Sequence, residues 1–450
     1  MLQRKAYEYL VKWKNTPDKK ALLITGARQI GKTYIIRKFA EENYSNFIEI
    51  NFITNPDAAK IFEGDLNAET ILINLTAYTR KSLVKGDTLI FFDEIQECPS
   101  ARTAIKFLVD DGQFDYIESG SLLGVRYKEV KSYPVGYEEN YRMYPLDFEE
   151  FATANGIQPQ TIEYLKKCYN NKEKVSEAVH QSMLKLFQYY IIVGGMPAVV
   201  QKFVDTKDIG EVLKIQKDIL DLYRQDISKY ADNNKEKIKS IFDLIPAQLN
   251  DKNRRFTLSD IKNSARMLRY ETSFNWLADA GVALPCYNIT EPALPLELNL
   301  QNNLFKLFLC DTGLLCAASM GNIQFDILSG DLSVNMGSIL ENVFAQELVS
   351  NGFLLRYFNK KNIGEIDFIV QKGKSAVPIE IKSGNDYTKH KALDNLIAKQ
   401  GWNISCGIVF CKGNLEIENN ITYYPWYMSM FFKQETLPEH LKVNVDIVNI

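Results

Sequence analysis

Several things are scarce in this chain, and each scarcity removes a class of function. It has no run of about 18 apolar residues, so nothing in it reads as a membrane span. Its histidines, His180, His390 and His440, stand apart from any H-x-x-x-H or triad spacing, which leaves a histidine zinc site or hydrolase triad unsupported. It has no C-x-x-C pair. Cys98, Cys168, Cys286, Cys310, Cys316, Cys406 and Cys411 are scattered and odd in number, as expected of reduced, buried thiols. An excess of one charge is missing too: at a net charge of -3, any contact with nucleic acid must come from a local patch. The opening stretch, Met1 to Lys20, lacks the apolar core of a signal peptide and reads as an amphipathic helix, so the expectation is a cytoplasmic protein without a membrane partner.

The chain does have the composition of an ordinary globular protein, 46% hydrophobic and 24% charged over 450 residues, long enough for about three domains of ~150 residues. Its most informative stretch is GARQIGKT, Gly26 to Thr33, which follows the apolar run Ala21 to Ile24 and opens an amphipathic segment, Tyr34 to Phe39. In that strand-loop-helix setting, G-x-x-x-x-G-K-[ST] cradles a β-phosphate with backbone N–H groups and the helix dipole. Gly26, Ala27, Arg28, Gln29, Ile30, Gly31 and Tyr34 would surround the nucleotide. Lys32 would reach the β- and γ-phosphates, and the Thr33 hydroxyl would ligate Mg2+.

FIEINF (Phe47 to Phe52) reads as a short strand. TLIFFDEIQECP, from Thr88, reads as a buried strand ending in Asp93-Glu94. Asp93 would hold Mg2+ through water and Glu94 would orient and polarise the attacking water. The plainer reading, in which the acids only favour the start of the next helix, loses ground beside an upstream phosphate loop. A third strand, Phe114 to Gly124, carries Ser119-Gly120-Ser121. Ser119 or Ser121 is a candidate sensor of the γ-phosphate or water, set against a simple glycine-serine turn. Further on, MYPLDFEEF reads as a short strand capped into a helix.

GARQIGKT, FFDEIQECP, SGSLLG and MYPLDFEEF together closely resemble a large prokaryotic family of predicted AAA+ superfamily ATPases, and similar pieces continue downstream over nearly the whole chain. The resemblance implies an α/β P-loop NTPase of AAA+ type that binds ATP with Mg2+ and hydrolyses it. Tyr137 stands where a basic residue usually follows the glycine of the PVG stretch, and Arg142 is the nearest substitute. Residues of about 155 to 235 alternate charged and apolar at helical spacing and look like a helical lid. In the related ATPases, lid or neighbouring-subunit arginines complete the nucleotide site. Arg224 is the candidate, against the plainer pairing with Asp221 or Asp226 along one helix.

From about 236 the pattern is a helix (Ile238 to Leu249), a basic turn, a short helix beginning TLSDI with Thr257 and Asp260 as its capping box, a third helix through RMLRYETSFNWLADAGVA, and the strand ALPCYNI. This suggests a winged helix whose Arg266, Arg269, Thr272 and Asn275 could touch DNA, although such modules also serve as packing elements. KLFLCDTGLLCAA then reads as strand, turn and helix.

A second chemical constellation lies in GEIDFIVQKGKSAVPIEIKSG, Gly364 to Gly384. With Gly373-Lys374 as a two-residue turn, Asp367 falls opposite Glu380, Ile366 opposite Ile381 and Phe368 opposite Ile379. Asp367, Glu380 and Lys382 then share a face, as a Mg2+-dependent phosphodiesterase requires. The spacing resembles the PD-(D/E)xK nuclease superfamily, which implies a further metal-binding acid from a preceding helix: Glu341, with Glu347 as runner-up. Pro378 fits an edge strand better than a central one. The aromatic ITYYPWYMSMFF, from Ile421, reads as a strand and a core helix.

The expected architecture is therefore a P-loop ATPase domain (1–155), a helical lid (156–235), a winged helix (236–334) and a restriction-endonuclease-like α/β domain (335–450). Candidate partners are DNA, a second copy of the chain and another protein. The alternative is a slow ATPase switch or scaffold whose nuclease-like domain docks without cutting.

Overall fold

Strands β1 (Ala21–Thr25) and β3 (Thr88–Asp93) are buried along their whole length, the pattern of a parallel sheet covered on both faces. The structure, a computed structural model, describes residues 2–120, 133–231, 234–250, 256, 270–319 and 336–435. With β2 (Asn46–Asn51), β4 (Asp115–Ser119) and β5 (Glu138–Arg142), these strands form a parallel sheet in the order β2-β3-β4-β1-β5. Alternate residues enter two cores. Leu22, Ile24, Phe91 and Ile117 pack with α1 (Lys5–Lys14) and α2 (Lys32–Asn43), whereas Leu23, Ile90, Phe92 and Tyr116 pack with α3 (Ala68–Thr79) and α4 (Pro99–Asp111). The order sets β4 between β1 and β3, so the ends of all three lie side by side, with Asp93 paired to Ser119. The third strand stops at Ser119, and Ser121 lies outside the described residues.

A helical region follows: α5 (Phe148–Ala154), α6 (Pro159–Asn171), α7 (Glu177–Val193), α8 (Pro197–Thr206), α9 (Ile209–Tyr230) and α10 (Lys235–Asn250). The expected cap is present on α5, where Asp147 accepts the Glu150 N–H and the Glu150 side chain returns to Asp147 N–H. Thr257, Asp260, Arg266 and Arg269 lie outside the described residues; Thr272 and Asn275 are exposed on α11 (Glu271–Asp279).

Next come β6 (Ala283–Ile289), β7 (Leu300–Leu309), α12 (Thr312–Ser319), α13 (Met336–Ser350), β8 (Arg356–Lys360) and β9 (Gly364–Ile366). The four strands form one sheet, β7-β6-β8-β9, so strands from either side of position 335 share it. The last sheet, β10-β11-β12-β14-β13, uses β10 (Phe368–Lys372), β11 (Ser375–Ile381), β12 (Gly407–Cys411), β13 (Glu416–Glu418) and β14 (Ile421–Pro425); α14 (Lys391–Ile397) precedes β12.

The hairpin turns at Gly373-Lys374 as expected, with Phe368 opposite Ile379. Two residues earlier the register departs from expectation: Ile366 pairs with Phe358 of β8, not with Ile381. At Asp367 the chain crosses from one sheet to the other, because Ile366 gains an apolar core with Phe358 and Leu393 there. Pro378 sits in a strand with neighbours on both sides; pairing to β12 begins only at Ile379, past the missing proline N–H. After β14 the aromatic stretch forms a buried 3-10 turn (Trp426–Phe431), not an α-helix. Six cysteines are free and buried, but Cys406 is exposed, contrary to expectation. His180 and His390 are buried on the hydroxyls of Tyr427 and Tyr423. Among the described residues, no helix is long and apolar enough to cross a membrane.

A buried carboxyl joins three regions. Glu347 of α13 accepts the Phe148 N–H (2.9 Å), the Tyr190 hydroxyl (2.9 Å) and the Ser429 hydroxyl (3.2 Å). Burial, aided by Asp147, pushes it up to about 8. Glu347 thus serves packing between regions and not the acid cluster near Glu380.

Candidate functional site

The first site forms where β1, β3 and β4 end. Gly26 has φ 138°, and a Cβ on it would stand 2.3 Å from the Met143 carbonyl oxygen, so only glycine lets the loop turn there. The Lys32 ammonium donates to the carbonyls of Gly26 (2.9 Å) and Ala27 (2.8 Å). Burial pushes it down to about 8, while Glu94 and Asp93 pull the other way. Thr33 Oγ1 lies 3.2 Å from Asp93 Oδ2. A hydroxyl and a carboxylate so placed are the hard oxygen donors that suit Mg2+.

Asp93, 3% exposed, also accepts from the Ser119 hydroxyl and from Asn51 Nδ2 at 2.8 Å. Asn51, at the tip of β2, escaped the sequence reading; its signal is a polar residue closing an alternating strand. Glu94 follows at φ 55°, an uncommon conformation of the kind that gathers at functional sites. Its carboxylate accepts from Gln96 Nε2 at 2.6 Å.

Beside the loop opens a cleft of about 450 Å³ lined by Leu2, Gln29, Tyr34, Met143, Pro197 and Gln201, among others. Arg4 borders it, donating to the Ile30 carbonyl (3.2 Å), the Tyr144 carbonyl (2.7 Å) and Glu150 (3.1 Å). Nothing in the opening stretch of sequence marks this arginine as a support of the loop.

Residues 18–152 match the family described as AAA domain. The chain contains an AAA-type P-loop ATPase domain. Its fold supports ATP binding and hydrolysis. Residues 184–324 and 336–428 match two families described as domains of unknown function, DUF8612 and DUF4143. No curated protein matches the chain. Among solved structures it is similar to the Walker-type ATPase PABY2304 of Pyrococcus abyssi, with TM-score 0.40 and 13% identity over 71% of this chain and 96% of that one. It is also similar to the Aeropyrum pernix ORC1 protein in complex with DNA, with TM-score 0.26 and 12% identity over 74% and 93%. For the Thermotoga maritima RuvB Holliday junction branch migration motor the values are 0.29 and 12% over 63% and 89%. Scores this low say nothing of function.

The AAA domain's loop is gripped from outside residues 18–152, by residues of the 184–324 region. Arg28 Nη1 pairs with Asp226 Oδ1 at 2.6 Å, and the Tyr223 hydroxyl donates to the Arg28 carbonyl at 3.0 Å. A Cβ on Gly281 would stand 2.9 Å from the Ala27 nitrogen, so the turn before β6 also rests on the loop. Tyr223 and Asp226, three apart, share one face of α9. Arg224 lies about 100° round that helix and is held instead by Asp221 (2.9 Å) and Asp243 (2.9 Å). The expected arginine of the nucleotide site is thus a surface ion pair, and α9 offers the loop an acid and a tyrosine. Arg142 donates to the Ala278 carbonyl at 2.7 Å, tying β5 to the end of α11.

The second cluster holds Asp367, Glu380 and Lys382 near one another, and Lys306 links it to Glu341 and Glu365. Lys382 Nζ is 2.8 Å from Glu380 Oε2. Burial, and then Asp367, push Glu380 up to about 7, opposed by Lys382 and Lys306. Asp367 Oδ2 accepts the Ile381 N–H at 2.8 Å. Glu341 Oε2 is 3.0 Å from Lys306 Nζ. Among the described residues, no three His, Cys, Asp or Glu side chains are grouped so as to hold a metal ion.

Proposed function

We propose that the protein is a Mg2+-dependent ATPase whose nucleotide state is passed from the P-loop to α9 and onward to a C-terminal nuclease-like domain that docks on DNA. The observation that carries this reading is the double grip on Arg28, by the Asp226 carboxylate and the Tyr223 hydroxyl. Lys32 exchanges the carbonyls of Gly26 and Ala27 for phosphate oxygens when ATP enters, and the loop shifts against α9 as it does so. The Tyr34 and Met143 walls of the adjoining cleft suit a nucleobase. Thr33 and Asp93 would hold Mg2+, which when bound would supply positive charge against that developing on the phosphates. Glu94 takes the water's proton or orients it, with Gln96 fixing its carboxylate.

Glu94→Gln should keep ATP while turnover falls by about 10²–10⁴, whereas Lys32→Ala should lose nucleotide binding; equal loss of binding in both would undo the roles given to them. The coupling is tested by DNA binding at low salt with and without ATP, where electrostatic binding is strongest. An ATP response that Asp226→Asn plus Tyr223→Phe leaves intact would remove α9 from the path.

A second reading, in which the C-terminal domain docks a partner without cutting, is favoured by one observation: Lys306 stands between Glu341 and Glu365.

A further inference from the structure

The C-terminal acids already have a cation among them. Lys306 reaches them from β7, ahead of the region that contains them, and its side chain is fully buried. Its Nζ lies 3.0 Å from Glu341 Oε2 and 2.7 Å from Glu365 Oε1. The Tyr357 ring covers another side, its centroid 5.1 Å from Nζ. A buried ammonium survives only beside compensating charge, so the lysine and these acids require one another.

Each acid expected to bind metal is engaged within the protein. Glu341 holds Lys306, Asp367 holds the Ile381 N–H, and Glu380 holds Lys382. A divalent ion drawn to Glu341 would meet the Lys306 ammonium, and two cations at such range repel strongly in a low-dielectric interior. This set of side chains does not fit the metal that the nuclease resemblance implies.

We infer that Lys306 is the resident cation of this cluster, a tethered substitute for the divalent metal that closes the site to metal-dependent phosphodiester cleavage. The lysine comes from β7, so the closure is made by a neighbouring segment and not by the acidic hairpin itself. The inference concerns a site apart from the P-loop and stands whether or not the ATPase coupling does.

The test is Mn2+ binding to the full-length, nucleotide-free protein, followed by electron paramagnetic resonance. Wild type and Lys306→Arg should show no Mn2+ that Glu380→Gln removes. Lys306→Met should gain a bound Mn2+, and adding Glu380→Gln should weaken it by about tenfold to a hundredfold. Glu380-dependent Mn2+ in wild type, or no gain in folded Lys306→Met, would overturn the inference. If Lys306→Met does not fold, Glu341→Gln and Glu365→Gln are added to remove both partner charges. Recovered folding, with no Glu380-dependent Mn2+ in wild type, upholds the resident cation, and failure to recover overturns it.

Discussion

At the P-loop, Lys32 rests on two backbone carbonyls and leaves the carboxylates of Asp93 and Glu94 to other work. In the C-terminal cluster, Lys306 rests on the carboxylates themselves. Both sites were assembled from lysine and acids, yet they differ in what the lysine can give up. Carbonyl bonds can be traded for phosphate oxygens at little net cost, since each hydrogen bond to a charged group contributes about 1.5–3 kcal/mol and is replaced by a similar one. Freeing a buried lysine from its acids strands charge on both sides, a loss of about 3–5 kcal/mol. The first site is built for exchange and the second for permanence.

The sharpest way to break that contrast is stability. Lys306→Met should destabilise the chain by about 3–5 kcal/mol in denaturant melts, while Lys32→Ala, without nucleotide, should stay within about 1 kcal/mol. Equal losses would erase the distinction.

Glu347 extends the comparison to a buried acid that answers to hydroxyls and an N–H. Its carboxyl is raised from the usual 4.5 to about 8, so the folded chain keeps a proton that the unfolded chain releases in that interval. This stabilisation is full below pH 4.5 and is lost as pH rises to about 8, with a slope of up to about 1.4 kcal/mol per unit. Glu347→Gln should flatten that part of a melting-temperature profile. An unchanged slope would place the titration elsewhere.

At the exchanging site the same linkage acts on binding. Lys32, pushed down to about 8 in the nucleotide-free protein, is held protonated once phosphates surround it. ATP affinity should therefore be flat below pH 8 and fall up to about tenfold per unit above it, read by equilibrium binding. Lys32→Arg should remove the dependence, because a guanidinium stays charged throughout.

The smallest effect is expected at Arg224, whose partners are exposed acids. Arg224→Ala should change turnover by less than about twofold and stability by about 0–1 kcal/mol. A fall in turnover of about 10³ would restore it as a charge-stabilising arginine and show that this structure is not the hydrolysing state.

Legibility in the sequence followed distance along the chain. Gly26 to Thr33 and Leu89 to Glu94 could be read because strand, loop and helix signals adjoin the chemical residues. The Gly373-Lys374 turn set the register from Phe368 to Lys372 by period alone. The register failed at Ile366, where a second sheet competed for the strand. Asn51 and Arg4 escaped because each acts on a partner brought close by sheet order or chain entry.

By itself, then, the sequence determined the phosphate loop, the acids at the end of β3, the parallel-sheet pattern and the hairpin carrying Glu380 and Lys382, all encoded in contiguous periodicity and turn chemistry. Only tertiary structure decided what these groups touch. It placed Asp226 on Arg28 across 198 positions and turned Arg224 away. It also set Lys306 of β7 between Glu341 and Glu365. Those pairings depend on how separate sheets and helices meet, and a buried charge takes whichever partner that meeting supplies.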